Sequence, residues 1–307
     1  MKHITSSQGI DHLVDTYQQH LRYVKGLAPD TCANYAREVQ EFLIVQWKRA
    51  GGDLVLARLG GENILKYLTR QRSRCQPVSL QYLASTLRSF LRFLALSGQC
   101  PAELVHAVPK IQAGPRIASP HYLSEAQLQK LLASFDPQIP CGARDQAVVY
   151  CLAKLGLRAG EVAHLSLEDF DWRQGTLRLT QTKGRHERLL PLLPTVGKAV
   201  AHYLRLARPT ITHRRVFVSL PGGAPLSSTQ VSWLTAAALR RADLIFPRLG
   251  AQLLRRTFAT HLTQRGTSVK AVADLLGHRY LNCTQLYAHV NLPMLQGVAQ
   301  PWPEVTL

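Results

Sequence analysis

The sequence predicts a mainly α-helical protein with one small β-sheet, divided into two domains. Its 307 residues are enough for about two domains of typical size. Apolar residues recur every three or four positions through most of the chain, which is the period of amphipathic helices. Two short runs, 176–180 and 188–192, flank the turn Lys183–Arg185 and predict a β-hairpin.

The first part of the chain contains four predicted helices, at 10–24, 31–49, 62–71 and 79–97. The fourth is the clearest, because Gly98 ends it and its apolar residues share one face: Leu80, Leu83, Leu87, Phe90, Leu91 and Leu94. Arg88 and Arg92 lie four residues apart on this helix and form a cationic ridge. We predict that they contact phosphate groups; a solvated helix face is the alternative.

A proline-rich stretch at 109–120 marks the predicted domain boundary. It has three prolines, one glycine and no apolar period. We therefore predict a helical domain over 1–108, a linker over 109–120, and a second domain with a C-terminal tail over 121–307.

The second domain is predicted to mix helices with the hairpin. Ser124 and Gln127 form a possible capping box at the start of its first helix. Further helices are predicted at 144–155, from 159, and at 195–207, 228–242, 251–264, 268–276 and 282–289. This domain is therefore expected to have an α+β fold.

Both predicted domains are strongly basic. The net charge is +18; residues 1–118 hold 15 basic and 8 acidic residues, and residues 119–307 hold 22 and 11. With 46% hydrophobic and 18% charged residues, the chain is not a disordered polycation. This distribution favours a folded protein whose two domains both meet nucleic acid. A basic protein with no nucleic-acid role is the alternative.

Other features exclude several classes. No apolar run is long enough to cross a bilayer, and the N-terminus has no apolar signal core, so we expect a cytoplasmic protein without membrane contact. The six cysteines form no Cys-x-x-Cys pair and are expected to be reduced thiols. No nucleotide-binding glycine loop is present. We expect no cofactor and no metal.

Several short motifs carry candidate functional residues. Arg158 follows Gly156 at the start of a predicted helix, where its guanidinium and the helix amides suit a phosphate, and Glu161 lies one turn later. Lys183 lies at the hairpin tip, where a lysine can reach a groove and release a proton. Arg185, on the same turn, is assigned to DNA binding. Taken singly, these residues are also compatible with a surface ion pair or a solvated turn.

Two more motifs lie further along the chain. Gln252 and Arg255 are three residues apart on one helix, and Arg255 has apolar neighbours, so it is expected to need an anion. His278 follows the helix-ending Gly277, and Tyr287 lies nine residues beyond that histidine. Each of these residues, taken alone, also fits a structural role.

In combination the motifs are specific. The order Gly-Leu-Arg-x-x-Glu, Lys-Gly, Arg-x-Thr-Phe-Ala-Thr-His-Leu, Leu-Gly-His and Tyr-x-His-Val closely resembles the tyrosine recombinases of the phage-integrase family, which include the bacterial chromosome-dimer recombinases and transposon integrases. The resemblance implies a four-helix, SAM-like core-binding domain and a catalytic domain that close as a C-shaped clamp on double-stranded DNA target sites. It also implies a homotetramer on two sites, with companion recombinases or accessory proteins as possible partners. The segment 292–307 is a candidate for reaching into a neighbouring subunit; a tail folded on its own domain is the alternative.

The resemblance also implies a role for each matched residue. Arg158 and Arg255 would bind the scissile phosphate, Lys183 would protonate the leaving 5′ oxygen, His278 would position the phosphate, and Tyr287 would be the nucleophile. Gln252 stands where the family usually has histidine; glutamine donates a hydrogen bond but does not shuttle a proton. Arg256 likewise replaces a frequent family histidine.

The implied function is site-specific recombination through a 3′-phosphotyrosyl intermediate, without ATP or metal. Integration, excision, transposition and dimer resolution would all use these residues. One rival is a type IB topoisomerase, which shares the chemistry. A second is a catalytically weakened member that acts as a DNA-binding architectural or regulatory protein, which Gln252 favours. A third, a metal-dependent nuclease, lacks a suitable carboxylate cluster in the sequence.

Overall fold

The computed structural model describes residues 3–112, 121–180 and 187–277. The chain divides into two compact units, Met1–Ile117 and Ala118–Leu307. Residues 113–120, which form most of the predicted linker, lie outside the described residues. The bounds given above for the two domains stay a prediction.

The first unit is built on the four helices that the sequence predicts. They are α1 (Ser7–Gln19), which continues as a π-helical turn over His20–Val24, α2 (Pro29–Arg49), α3 (Gly61–Arg72) and α4 (Pro77–Leu96). Three short features were not predicted: a two-residue strand pair, β1 (His3–Ile4) with β2 (Leu54–Val55), and 3₁₀ turns at Leu56–Arg58 and Ala102–Ala107. Strands of two residues are too short to show an alternating pattern.

The predicted apolar face of α4 forms much of the core of this unit. Leu87, Phe90 and Leu94 are fully buried. Tyr17 of α1 packs edge-on against Phe90 at 5.2 Å between ring centroids, and its hydroxyl donates to Ser89 Oγ at 2.9 Å. Burial raises the pKa of Tyr17, so this phenol is neutral and serves packing.

The second unit mixes helices with a three-stranded sheet. Its helices are α5 (Glu125–Ala133), α6 (Pro140–Lys154), α7 (Ala159–His164), α8 (Pro194–Leu206), α9 (Ser228–Arg241), α10 (Ala251–Gln264) and α11 (Val269–Leu276). The strands are β3 (Phe170–Asp171), β4 (Thr176–Leu179) and β5 (Arg188–Pro191). The hairpin turn at 181–186 and the helix predicted at 282–289 lie outside the described residues.

The sheet is antiparallel with the order β3-β4-β5. The register pairs Leu177 with Leu190 and Leu179 with Arg188, so the predicted strands β4 and β5 are confirmed. The two-residue strand β3 was not predicted. The capping box of α5 is also confirmed, because the Gln127 amide donates to Ser124 Oγ and the Ser124 amide donates to Gln127 Oε1.

Helix α6 lies at the centre of the second core. Val148, Cys151 and Leu152 are fully buried there, and α6 packs against α8 and α10. Because α6 is held on several sides, the residues that follow its C-terminal end are held with it. These residues include Gly156 and Arg158.

Three structural findings concern membrane spans, cysteines and metal sites. Within the described ranges, no helix has the length and apolarity needed to span a membrane. The cysteines in those ranges all carry free thiols: Cys32, Cys75, Cys100, Cys141 and Cys151. The same residues contain no group of three or more histidine, cysteine or acidic side chains placed to hold a metal ion.

Candidate active site

Three arginines converge on the C-terminal end of α11. The carbonyl groups of Leu276 and Gly277 accept hydrogen bonds from Arg158, Arg188 and Arg255, which come from three different parts of the second unit. The C-terminal end of a helix carries partial negative charge and stabilises cations there. His278 is the next residue in the sequence.

Arg158 is the N-cap residue of α7, as its position after Gly156 predicts. Its Nη1 donates to Glu161 Oε1 at 2.7 Å, and its Nη2 donates to the Gly277 carbonyl at 2.9 Å. Its backbone amide donates to Glu161 Oε2 at 2.8 Å. The sequence predicted that the amides at this helix start bind a phosphate, but this amide is already occupied by Glu161. The side chain is 26% exposed, which leaves part of the guanidinium open to a ligand.

Arg255 lies on α10 and is only 2% exposed. Its Nη1 donates to the Gly156 carbonyl at 2.6 Å, and its Nη2 donates to the Leu276 carbonyl at 2.5 Å. Glu161 Oε2 lies 3.9 Å from Nη1. The expected need of this arginine for negative partners is therefore met by helix-end carbonyls and by a carboxylate.

Glu161 holds the arginines together. Its side chain is 3% exposed, so its contact with Arg158 is a buried ion pair, not the surface pair left open by the sequence. Arg188 donates to the same carboxylate from β5, with Nη1–Oε1 at 3.1 Å and Nη2–Oε2 at 2.8 Å. Burial raises the pKa of Glu161, but Arg188 and Arg158 outweigh burial and hold the pKa below its usual value.

Arg188 was not predicted as a site residue. The alternating pattern of the strand could have indicated it. Arg188 lies two residues before the buried Leu190, so both side chains point to the inward face of β5. Its side chain is 11% exposed, and burial lowers its pKa while Glu161 opposes this shift. Three guanidinium groups and one carboxylate leave this cluster with a net charge of +2.

Two glycines with left-handed backbone allow this close packing. A Cβ on Gly156 (φ +64°) would lie 2.4 Å from Phe258 Cδ1 and 2.9 Å from Leu276 Cδ2. A Cβ on Gly277 (φ +62°) would lie 2.3 Å from Arg188 Nη1. Both positions therefore need glycine for conformation and for space.

The other predicted site residues are placed as follows. Gln252 lies in the first turn of α10, one turn before Arg255, and its side chain is exposed. In the first unit, Arg88 Nη2 donates to the Pro109 carbonyl at 2.7 Å, and Arg92 lines a cavity of about 470 Å³ with His20 and Lys25. Four predicted residues lie outside the described residues: Lys183, Arg185, His278 and Tyr287.

Comparison with known proteins agrees with this architecture. Residues 121–293 match the Phage integrase family, and residues 14–98 match the family's N-terminal SAM-like domain. A putative integrase/recombinase, y4rA, of Sinorhizobium fredii is 32% identical over 296 residues, which cover 96% of this chain and 71% of the relative. The tyrosine recombinase XerC of Oceanobacillus iheyensis is 30% identical over 287 residues, which cover 90% of this chain and 91% of the relative.

A solved structure shows the same fold. The XerH site-specific recombinase, bound to a palindromic difH substrate in a post-cleavage complex, matches with a TM-score of 0.74 and 19% identity. The match covers 97% of this chain and 85% of that one. The chain therefore belongs to the phage integrase family of tyrosine recombinases. This confirms the resemblance and the mainly helical, two-part fold predicted from the sequence.

Proposed function

We propose that this tyrosine recombinase cleaves and rejoins DNA strands at specific sites through a covalent bond between Tyr287 and a 3′ phosphate. The observation that carries the proposal is the convergence of Arg158 and Arg255 on the Leu276–Gly277 carbonyls, directly before His278. The two arginines are 97 residues apart in the sequence, and they meet beside the next motif in the predicted order.

The proposed reaction begins at the phenol of Tyr287. A free tyrosine has a pKa of about 10, so it is a weak nucleophile at neutral pH. Cations around the phosphate lower the free energy of the phenolate and of the pentavalent phosphorane. Because the arginine cluster has a net charge of +2, it complements a transition state that is more negative than the phosphodiester.

Bond making and breaking balance without another reactant. The phenol of Tyr287 gives its proton to solvent water. Its Oη attacks phosphorus and forms the 3′-phosphotyrosyl ester, while the bond from phosphorus to the 5′ oxygen breaks. Lys183 gives its proton to that oxygen, which leaves as a hydroxyl, and Gln252 and His278 donate hydrogen bonds to the phosphate. A 5′ hydroxyl from another strand then reverses these steps, so rejoining needs no ATP and no metal.

The partner is double-stranded DNA. The cationic composition of both units supports contact of each with the duplex, with Arg88, Arg92 and Arg185 assigned to phosphates. Strand exchange between two sites needs four cleaving subunits, which supports a homotetramer. The relatives named above come from bacteria, whose chromosome lies in the cytoplasm, and this supports the same location for the protein.

The test begins by selecting the DNA sequence that the protein binds from a random library. Nicked suicide substrates with that sequence are then incubated with the wild type, Tyr287→Phe and the matched control Tyr280→Phe. We expect covalent adducts with the wild type and Tyr280→Phe, unchanged by EDTA, and none with Tyr287→Phe. An adduct that maps to another residue contradicts the proposal, and so does a wild type that binds its site but forms no adduct.

A further inference from the structure

Arg188 connects every part of the arginine cluster. It comes from β5, and its guanidinium contacts Glu161 through two nitrogen–oxygen pairs and the Leu276 carbonyl at 3.1 Å. The same carboxylate holds Arg158, and the same carbonyl holds Arg255. One side chain therefore touches the group that orients each of the two proposed phosphate-binding arginines.

Exposure distinguishes Arg188 from Arg158, the other arginine that contacts Glu161. Arg188 is 11% exposed and Arg158 is 26% exposed, so Arg158 is the more open of the two to a ligand. A buried carboxylate needs charge compensation and saturated hydrogen bonds. Arg188 supplies a positive charge and two of the hydrogen bonds that Glu161 accepts, and Arg158 contacts the carboxylate with Nη1 alone among its side-chain nitrogens.

Arg188 also lies against the backbone of Gly277, at the C-terminal end of α11. A Cβ on Gly277 would overlap its Nη1, so the guanidinium occupies the space beside the left-handed residue that ends α11. Gly277 is thus held by Arg188 on one side and by the hydrogen bond from Arg158 to its carbonyl.

We propose that Arg188 is a positioning residue for DNA cleavage, which holds Glu161 and the Leu276–Gly277 carbonyls so that Arg158 and Arg255 meet one phosphate. This inference rests on the proposed function. Arg188 acts through these neighbours and does not itself touch the phosphate. Its planar fork matters as well as its charge, because a lysine does not contact both carboxylate oxygens and the carbonyl in the same geometry.

The test compares Arg188→Met, Arg188→Lys and the control Arg178→Met, an exposed arginine on the neighbouring strand β4. Single-turnover cleavage at saturating DNA and the DNA dissociation constant are measured separately. Arg188→Met is expected to cleave about 10–100-fold more slowly. This is the size of effect seen when a residue that orients a metal ligand, without touching the metal, is replaced. The DNA affinity of Arg188→Met is expected to stay within about twofold of wild type, because other cations bind the duplex. Arg188→Lys is expected to recover part of the rate, and Arg178→Met is expected to cleave like wild type.

The outcomes separate this inference from the function on which it rests. If the wild type cleaves and Arg188→Met cleaves at the same rate, the positioning role of Arg188 is overturned and the proposed function stands. If Arg188→Met does not fold, an Arg188→Lys rate equal to wild type has the same meaning. A loss confined to DNA affinity also overturns it, since Arg188 would then be a DNA contact. If the wild type itself forms no adduct, the proposed function fails and this inference fails with it.

Discussion

Replacing Gly277 with alanine is expected to place a methyl group directly against the arginine cluster and to destabilise the second unit. Gly277 has φ +62° and ψ +49°, in the left-handed region. A side chain there meets two separate obstacles. The backbone conformation is unfavourable for an L-residue, and the new Cβ would lie 2.3 Å from Arg188 Nη1.

The magnitude follows from these two terms. A non-glycine residue in the left-handed region costs about 1–2 kcal/mol. The displaced guanidinium would also lose at least one charge-assisted hydrogen bond to Glu161 or to the Leu276 carbonyl, worth about 1.5–3 kcal/mol. Together they lower the free energy of unfolding by about 2.5–5 kcal/mol.

Gly175 provides a matched control in the same unit. Its φ is +61°, and a Cβ there would meet no atom within 4 Å, so Gly175→Ala carries the backbone term alone. Scanning calorimetry is expected to give Gly277→Ala a melting temperature about 3–12 °C below that of Gly175→Ala, for a unit of this size. In an Arg188→Ala background, the added effect of Gly277→Ala is expected to fall to about 1–2 kcal/mol.

Equal melting temperatures for Gly277→Ala and Gly175→Ala would refute this reasoning, because they would mean that Arg188 moves aside without losing a stabilising hydrogen bond. A full effect of Gly277→Ala in the Arg188→Ala background would refute it independently. In that case the guanidinium is not what the new methyl group meets.

Three further outcomes are expected. The stability advantage of wild type over Glu161→Gln should be full at neutral pH. It should disappear as the pH falls below the usual range of a glutamate and through the lowered pKa of Glu161, because protonation removes the charge that the arginines contact. Urea unfolding from neutral to acidic pH checks it, and a constant difference would contradict it. Gln252→Ala should slow single-turnover cleavage by an amount equivalent to about 2–4 kcal/mol, whereas Gln252→His should be tolerated or faster, because imidazole donates the same bond and also accepts a proton; wild-type rates for Gln252→Ala over pH 6–9 would place this residue outside the site. Log affinity for duplex DNA should fall linearly with log salt concentration, and Arg88→Ala with Arg92→Ala should weaken binding of all sequences; filter binding that shows no change would assign this ridge to solvent.

Local patterns in the sequence determined most of the elements. The apolar stripe of α4, the glycine that follows it, and the Ser124–Gln127 capping box are encoded within a few residues, so the period and the capping chemistry predict them directly. The family motifs are also local in the sequence, and their order alone identified the class of protein.

Tertiary structure decided which charged groups share one buried cluster. Glu161 is three residues from Arg158, so their contact was foreseeable, but its burial and its second partner, Arg188, depend on where β5 packs. The β1–β2 pair likewise joins residues about 50 positions apart that show no pattern of their own. Contacts of this kind arise from the way whole elements pack, and a single sequence carries little local signal for them. The order of its motifs therefore determined the protein's class, while packing against the end of α11 decided how its arginines are held.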